Sequence, residues 1–492
     1  MTRAHVWWCG LVFVLAAPAP AQTLVQRLDR RLDAPGLEHL LWGVAVTDLD
    51  GHVLYGRNAD RLFIPASNTK LVVSVVANAL LGPDFTVPTS VYGSGPIVAG
   101  MLQGDLVLYG RGDPTFSRRC YDADTTRAGA CDRDAAEKLR QLAQQLRARG
   151  IRVVAGDVIG DGSYFEPLLI HPGWENYDLG WWFAAPVSGL GFNDNSVDFR
   201  EVAGDSAGAR AQLTMTPDVG AFSLDNRAEV GPRGSRRTFD IFRTGDGLGY
   251  LATGALAAGS APRNESAAVM DPNRYAALAF RQELAAAGIL VRGNTRSTVD
   301  SLTYRSARTT APIAEVRSRP LRDWLYPILS PSQNWFAEML LKQLGKRLGS
   351  SGSWAEGRAV ERRFLIDSVG VDSTEFSLQD GSGLATNNFI APLAFTKLLS
   401  WARKHANFAA INGGLPQSGK PGTLRDRFTG TPAATAVHAK TGSISGVNAL
   451  SGYVEQAGGR VLVFSIMANH HTLGGARMIA MIDSVIVELA RP

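Results

Sequence analysis

Ser67-Asn68-Thr69-Lys70 stands immediately before the apolar run Leu71-Val72-Val73-Ser74-Val75-Val76, and this junction constrains the chain more than any other stretch. Three residues of separation on a helix place Ser67 and Lys70 on one face, so an amine reaches a hydroxyl that it is able to deprotonate. No other lysine in the chain has a serine three residues before it. Taken alone, a serine at a helix start is most simply a cap. The pair acquires chemical meaning only from what lies downstream.

A chain of 492 residues exceeds one ordinary core, so two or more domains are expected, and 45% apolar content suffices to bury them. The net charge of +5 is dispersed, with no run of five or six like charges, which argues against nucleic-acid binding. Arg3, the apolar run Val6 to Ala17 and the small residues before a cut after Ala21 form the pattern of a secretory signal peptide over residues 1–21. The alternative, an uncleaved anchor, is disfavoured because the run is shorter than the ~20 residues a membrane span needs. Cys9 falls inside this segment and lacks a lipoprotein cleavage context. Processing would leave Cys120 and Cys131, an even pair in an exported chain, expected to close a short surface loop as a disulfide contributing about 2–3 kcal/mol. A metal is the rival use of that pair, but no nearby histidine completes a ligand set, and no cofactor is indicated elsewhere.

Leu24, Leu28 and Leu32 lie on an amphipathic helix ended near Pro35-Gly36. Val44 to Asp48 and His52 to Tyr55 form a hairpin around Leu49-Asp50-Gly51. A helix, a hairpin and the Ser67 helix in succession indicate an α+β domain with its site at the edge of an antiparallel sheet. From about Pro83 the texture changes to short strands and glycine-rich loops. Two segments there, Ala135 to Val154 and Asp271 to Val291, share a helix, glycine, strand order and are read as a weak internal echo. The expected division is therefore a discontinuous domain over 22–84 and 311–492, interrupted at 85–310 by a large mixed α/β insertion built as one or two small subdomains. Helices are predicted from Trp335, over Ala355 to Ser368 and over Pro392 to Ala402. Three antiparallel strands follow, around Val437 to Ser443, Ala449 to Val454 and Val461 to Met467. A C-terminal helix carries Met478, Ile482, Val485 and Leu489 on one stripe, suited to covering the sheet, with peripheral membrane association as the alternative.

Three short motifs stand in order: Ser67-Asn68-Thr69-Lys70, Ser332-Gln333-Asn334 and Lys440-Thr441-Gly442. Each is weak singly. Placed in this order on helix, loop and edge strand, they resemble the active-site serine penicillin-recognising enzymes, whose fold is a serine transpeptidase/β-lactamase-like domain. The long gap between the first two motifs, with Asp380-Gly381-Ser382-Gly383-Leu384 and Leu415 to Leu424 before the third, resembles the class C low-molecular-mass penicillin-binding proteins. Those are periplasmic D-alanyl-D-alanine carboxypeptidases and endopeptidases. The resemblance extends over nearly all the mature chain, including Gly156-Asp157-Val158 and Asn193-Asp194-Asn195.

The chemistry of each position follows. Ser67 is the candidate nucleophile, and Lys70 is its base if burial or a neighbouring cation, for which Lys440 is available, lowers an amine pKa that is ordinarily ~10.4. Ser332 would relay a proton to the leaving nitrogen, and Asn334 would orient Lys70 and the substrate amide. Lys440 and Thr441 would hold the terminal carboxylate, and Gly442 would let the substrate lie against the strand. The resemblance implies the amides of Ser67 and Ser443 as the oxyanion hole, and Asp161 as a contact to the stem-peptide side chain. It also implies peptidoglycan stem peptides as substrates and β-lactam antibiotics as covalent inhibitors. Gln333 departs from the aspartate common in compact relatives and is expected to point away from the substrate. No glutamate is marked as a deacylation base, which argues against β-lactamase turnover.

Gly414 to Lys420 outlines a phosphate loop, but Pro421 occupies the place of the metal-ligating hydroxyl. His470-His471 lacks a third ligand at suitable spacing. Trp174, Trp181, Trp182 and Tyr177 suit either a glycan platform or, more simply, packing. The rival functions are a β-lactamase or D-amino-acid esterase with the same serine, and a catalytically idle peptidoglycan-binding scaffold.

Overall fold

The computed structural model describes residues 22–491. The expected signal segment, with Cys9, lies outside the described residues. A five-stranded antiparallel sheet is ordered Val53–Arg57, Leu41–Thr47, Val461–Asn469, Val447–Glu455, Val437–Ile444. Two strands thus come from the start of the chain and three from its end. The predicted hairpins are present, with Gly51 at φ +91° and Gly458 and Gly459 at φ +98° and +81° supplying the turns.

Side-chain alternation in Val461–Asn469 divides two cores. Leu462, Phe464, Ile466 and Ala468 enter one core with Leu28 and Leu32 of the helix Leu24–Leu32 and with the whole stripe Met478, Ile482, Val485 and Leu489 of the helix Gly475–Ala490. Thr23 starts the first of these helices with a capping box to Gln26. Val463 and Met467 face the opposite core, which holds Leu398 and Leu399 of the helix Pro392–Lys404 together with Val72 and Val76. The helix Thr69–Leu80 has Thr69 through Asn78 buried, its apolar residues Leu71, Val72, Val73, Val75 and Val76 lying on all sides, and packs on the helix Asn334–Leu348.

A second five-stranded sheet is ordered Thr295–Thr298, Val158–Asp161, Leu106–Tyr109, Pro88–Gly93, Ala314–Arg317, parallel among its first three strands and antiparallel thereafter. Ala314–Arg317 lies beyond residue 310 yet completes this sheet. The two helix, glycine, strand segments lie side by side: the helices Glu137–Ala148 and Pro272–Ala286 pack together, and Leu290–Val291 pairs in parallel with Val153–Val154. Gly150 and Gly288, at φ +87° and +74°, terminate the two helices alike. Residues 196–268 add small sheets around Ser196–Val202 and Gly249–Thr253. Cys120 and Cys131 form a disulfide across a short loop. Among the described residues, no helix is long and apolar enough to cross a membrane.

Gly160 shows how tightly the second sheet meets its helix, because a Cβ there would lie 2.0 Å from the carbonyl oxygen of Asn273. Gly160→Ala is expected to destabilise this unit by about 3 kcal/mol, read as a lowered urea midpoint.

Candidate active site

The nucleophile turn is a strained piece of backbone. Ala66 has φ +49°, and the short 3₁₀ turn Ala66–Asn68 then feeds the helix that begins at Thr69. Ser67 therefore sits on the turn just ahead of the α-helix, with Lys70 in the first helical turn. Thr69 Oγ1 donates to the Ala66 carbonyl at 2.9 Å. Asn68 Nδ2 donates to Ser451 Oγ at 2.7 Å, and Ser451 Oγ donates in turn to Ser465 Oγ at 2.9 Å, which pins the turn to the middle of the first sheet.

Lys70 is fully buried. Its Nζ donates to Ser67 Oγ at 2.8 Å, Asn334 Oδ1 at 2.7 Å and the Ser382 carbonyl at 2.8 Å. Asn334 Nδ2 donates to the Phe183 carbonyl at 2.8 Å, which fixes the amide orientation and leaves Oδ1 toward the lysine. Burial pulls the Lys70 pKa down to about 7 against the attraction of Asp380 and Glu338. A neutral lysine keeps two N–H donors and one lone pair. Asn334 Oδ1 and the Ser382 carbonyl are acceptors only, so they claim both donors and the lone pair is left facing the Ser67 hydroxyl. The geometry selects the proton-accepting orientation.

Ser332, at φ +66°, precedes the helix Asn334–Leu348, and Gln333 caps it by accepting from the Trp335 amide at 3.3 Å. Lys440 Nζ donates to Ser332 Oγ and to the Thr441 carbonyl, both at 2.8 Å. Burial and then the charge of Lys70 hold the Lys440 pKa well below the ordinary lysine range. The main cause of the shift at Lys70 is burial, the first of the two routes open from the sequence, and Lys440 is engaged with Ser332 instead. Thr441 Oγ1 donates to Thr423 Oγ1 at 3.0 Å, and Asn448 Nδ2 donates to Ser443 Oγ at 3.1 Å. Gly442 has a steric role that was not foreseen. A Cβ at this position would lie 2.6 Å from the Pro65 carbonyl and 3.2 Å from the Ser67 amide, so its absence lets the edge strand press against the nucleophile turn.

The three motifs are thus brought together, while Asp161 stands apart from them. It is fully buried, with one carboxylate oxygen accepting from the Ser163 amide and the other paired with Arg308. Trp174 is core, donating from Nε1 to Asp380 Oδ2 at 3.0 Å, whereas Tyr177 is 74% exposed.

Two buried carboxylates complete the site: Glu338, which no sequence motif marks, and Asp380, which stands in the glycine-rich motif without an assigned role. Glu338 accepts from the Ser382 amide at 2.7 Å, the Gly381 amide at 3.1 Å and Trp354 Nε1 at 2.8 Å. Asp380 accepts from the Gly383 and Ala385 amides, each at 2.8 Å. Together they hold the loop that presents the Ser382 carbonyl to Lys70. Gly383, at φ +81°, brings this loop so close that a Cβ would lie 1.9 Å from the Ala66 carbonyl. Glu338 follows Asn334 by four residues, so helical spacing was the signal available for finding it.

A strained serine turn, a buried amine on its hydroxyl, a Ser-Gln-Asn loop and a Lys-Thr-Gly edge strand define a penicillin-recognising serine enzyme. Residues 24–489 match the model of the D-Ala-D-Ala carboxypeptidase 3 (S13) family, and the chain belongs to that family. It is 32% identical over 487 residues to a D-alanyl-D-alanine carboxypeptidase of Actinomadura sp. (strain R39), covering 96% of this chain and 86% of that protein. With D-alanyl-D-alanine carboxypeptidase DacB of Haemophilus influenzae it shares 25% identity over 423 residues, covering 85% and 82% of the two chains. The crystal structure of penicillin binding protein 4 (dacB) from Haemophilus influenzae superposes with a TM-score of 0.79 at 23% identity, over 94% of this chain and 99% of that one. A second structure of that protein, complexed with a β-lactam, gives a TM-score of 0.74 at 22% identity, with the same coverage.

Glu338→Gln places an amide nitrogen against N–H donors and loosens the Ser382 carbonyl. It is expected to slow Ser67 acylation by a fluorescent penicillin by about tenfold to a hundredfold, measured as the second-order labelling rate.

Proposed function

We propose that this chain is an exported serine D,D-peptidase that hydrolyses D-alanyl-D-alanine ends, and also cross-links, of peptidoglycan stem peptides through an acyl-enzyme on Ser67. The observation that carries this reading is the buried Lys70 amine, with a pKa of about 7, on the Ser67 hydroxyl. Neutral Lys70 takes the hydroxyl proton as Oγ attacks the penultimate D-alanine carbonyl. The Ser67 and Ser443 amides receive the oxyanion, where loss of one donor typically costs about 3–4 kcal/mol. Ser332, aligned by Lys440, passes a proton to the leaving nitrogen. Lys440 Nζ already donates to Ser332 Oγ and to the Thr441 carbonyl, and an arriving leaving-group carboxylate, beside the Thr441 and Thr423 hydroxyls, supplies the negative charge that favours its ammonium form and a third donor. Water then hydrolyses the ester. The edge strand Val437–Ile444 is bridged at its start by Gln417 to His438, and beyond Ala439 its outer side has no strand partner among the described residues, so an extended peptide adds there by main-chain pairing.

Family membership and the β-lactam complex of the Haemophilus influenzae protein support both the substrate class and acylation by penicillins. A β-lactam leaving group stays tethered and obstructs the hydrolytic water. The signal-peptide pattern and the disulfide support a periplasmic location.

A fluorescent penicillin is expected to label the mature protein, with no adduct on Ser67→Ala, and D-alanine is expected to be released from a stem pentapeptide. Rapid cephalosporin turnover without D-alanine release would instead assign a β-lactamase. The acylation rate should fall about tenfold per unit below pH 7 as Lys70 takes up a proton and loses its lone pair. Stopped-flow labelling across pH checks this.

A further inference from the structure

A cavity of about 710 Å³ lies between the disulfide-closed loop and the segment after Phe192, with Arg118, Arg119, Arg133, Trp182, Asp194 and Asp198 on its walls. One wall is strained. Asn193, Asp194 and Asn195 follow one another at φ +49°, +55° and +52°, a left-handed run that non-glycine residues rarely adopt. Such conformations persist where surrounding contacts over-determine them, and they collect at ligand sites. Here the fixing contacts converge on Asp194, which accepts from Ser117 Oγ at 2.6 Å and from Gln333 Nε2 at 2.7 Å and is paired with Arg119.

Gln333 lies between Ser332 and Asn334, so its side chain ties the cavity wall to the second motif. A second tie is Trp182, which packs near Arg119 and directly precedes Phe183, the residue whose carbonyl accepts from Asn334. The lining charges balance by number, Arg118, Arg119 and Arg133 against Asp132, Asp194 and Asp198, but not by pairing. Arg118 pairs with Asp198, Arg119 with Asp194, and Asp132 with Arg319 from outside the cavity. Arg133 is exposed and, with Asp132 taken by Arg319, has no ion-pair partner among the described residues. The cavity therefore presents an unpaired cation beside an aromatic wall, and its volume falls within the ~300–1,000 Å³ of ordinary ligand sites.

We propose that this cavity receives the leaving strand of a peptide cross-link, with a carboxylate of that strand on Arg133 and its stem along Trp182. The inference rests on the D,D-peptidase reading above. When a terminal D-alanine leaves, the departing group ends at Lys440 and Thr441. When a cross-link is cut, the carbonyl–nitrogen bond breaks, water supplies hydroxide to the acyl carbon and a proton to the amine, and the departing group is a second peptide that continues past Ser332. A subsite beyond that point serves only the second reaction.

The test compares kcat/KM of the mature enzyme on a cross-linked muropeptide dimer and on a monomeric stem pentapeptide, for the wild type, Arg133→Glu, Arg133→Lys and Trp182→Ala. Arg133→Glu should lower the dimer value about tenfold, mainly through KM, while pentapeptide hydrolysis and penicillin labelling stay within twofold. Arg133→Lys should restore most of the loss, and Trp182→Ala should also affect the dimer selectively. Unchanged dimer hydrolysis in Arg133→Glu, or an equal fall on both substrates, overturns the proposal. A wild type that cuts the pentapeptide but not the dimer also overturns it, leaving the D,D-peptidase reading intact, whereas failure on both substrates defeats that reading first.

Discussion

The buried amine of Lys70 is the constraint on which the rest of this structure depends. An ammonium removed from water must have its donors satisfied, and three segments far apart in the chain meet to do so at Ser67, Asn334 and Ser382. Two of these partners accept only, and that asymmetry directs the chemistry. The unused lone pair has a single destination, so the base is oriented before any substrate arrives. Preorganisation of this kind removes reorganisation from the reaction itself.

Close main-chain approach is the means by which the segments are held. Gly442 and Gly383 bring the edge strand and the carboxylate-held loop onto the same strained turn, from Pro65 to Ser67. Neither side of that turn has room for a Cβ. Glu338 and Asp380 then accept from the buried amides of the loop, which have no water to bond. Burial pushes the Glu338 pKa up to about 7, with the negative charge of Asp380 adding to the effect.

Much of this site was legible because its side chains lie in short patterns that local spacing reveals, as with Ser67 and Lys70. The sheet was legible for a related reason: alternation and glycine turns mark Val447–Glu455 and Val461–Asn469 directly. The Ser382 carbonyl was hidden because main-chain acceptors carry no residue signature. Glu338 was hidden because an acid in an apolar helix resembles a solvent-facing charge. Gln333 was expected to be inert, and it does point away from Lys70, but it lands on Asp194. Asp161 illustrates the converse: its partner Arg308 is 147 residues away, a pairing that no local pattern contains. Gly442 was assigned to substrate clearance, whereas the tighter contact is with the enzyme's own turn.

The first sheet takes its strands from both ends of the chain, with more than half of the polymer between them. The second sheet draws all its strands from residues 88–317, but the strand Leu41–Thr47 has no neighbour on its inner side until Val461–Asn469 has been synthesised. Lys440 and Gly442 arrive only with those last segments. A chain threaded N-terminus first through a narrow channel would therefore carry a serine and a lysine without a site around them until nearly all of it had emerged. Hydrolytic competence thereby waits on the last strands of the first sheet.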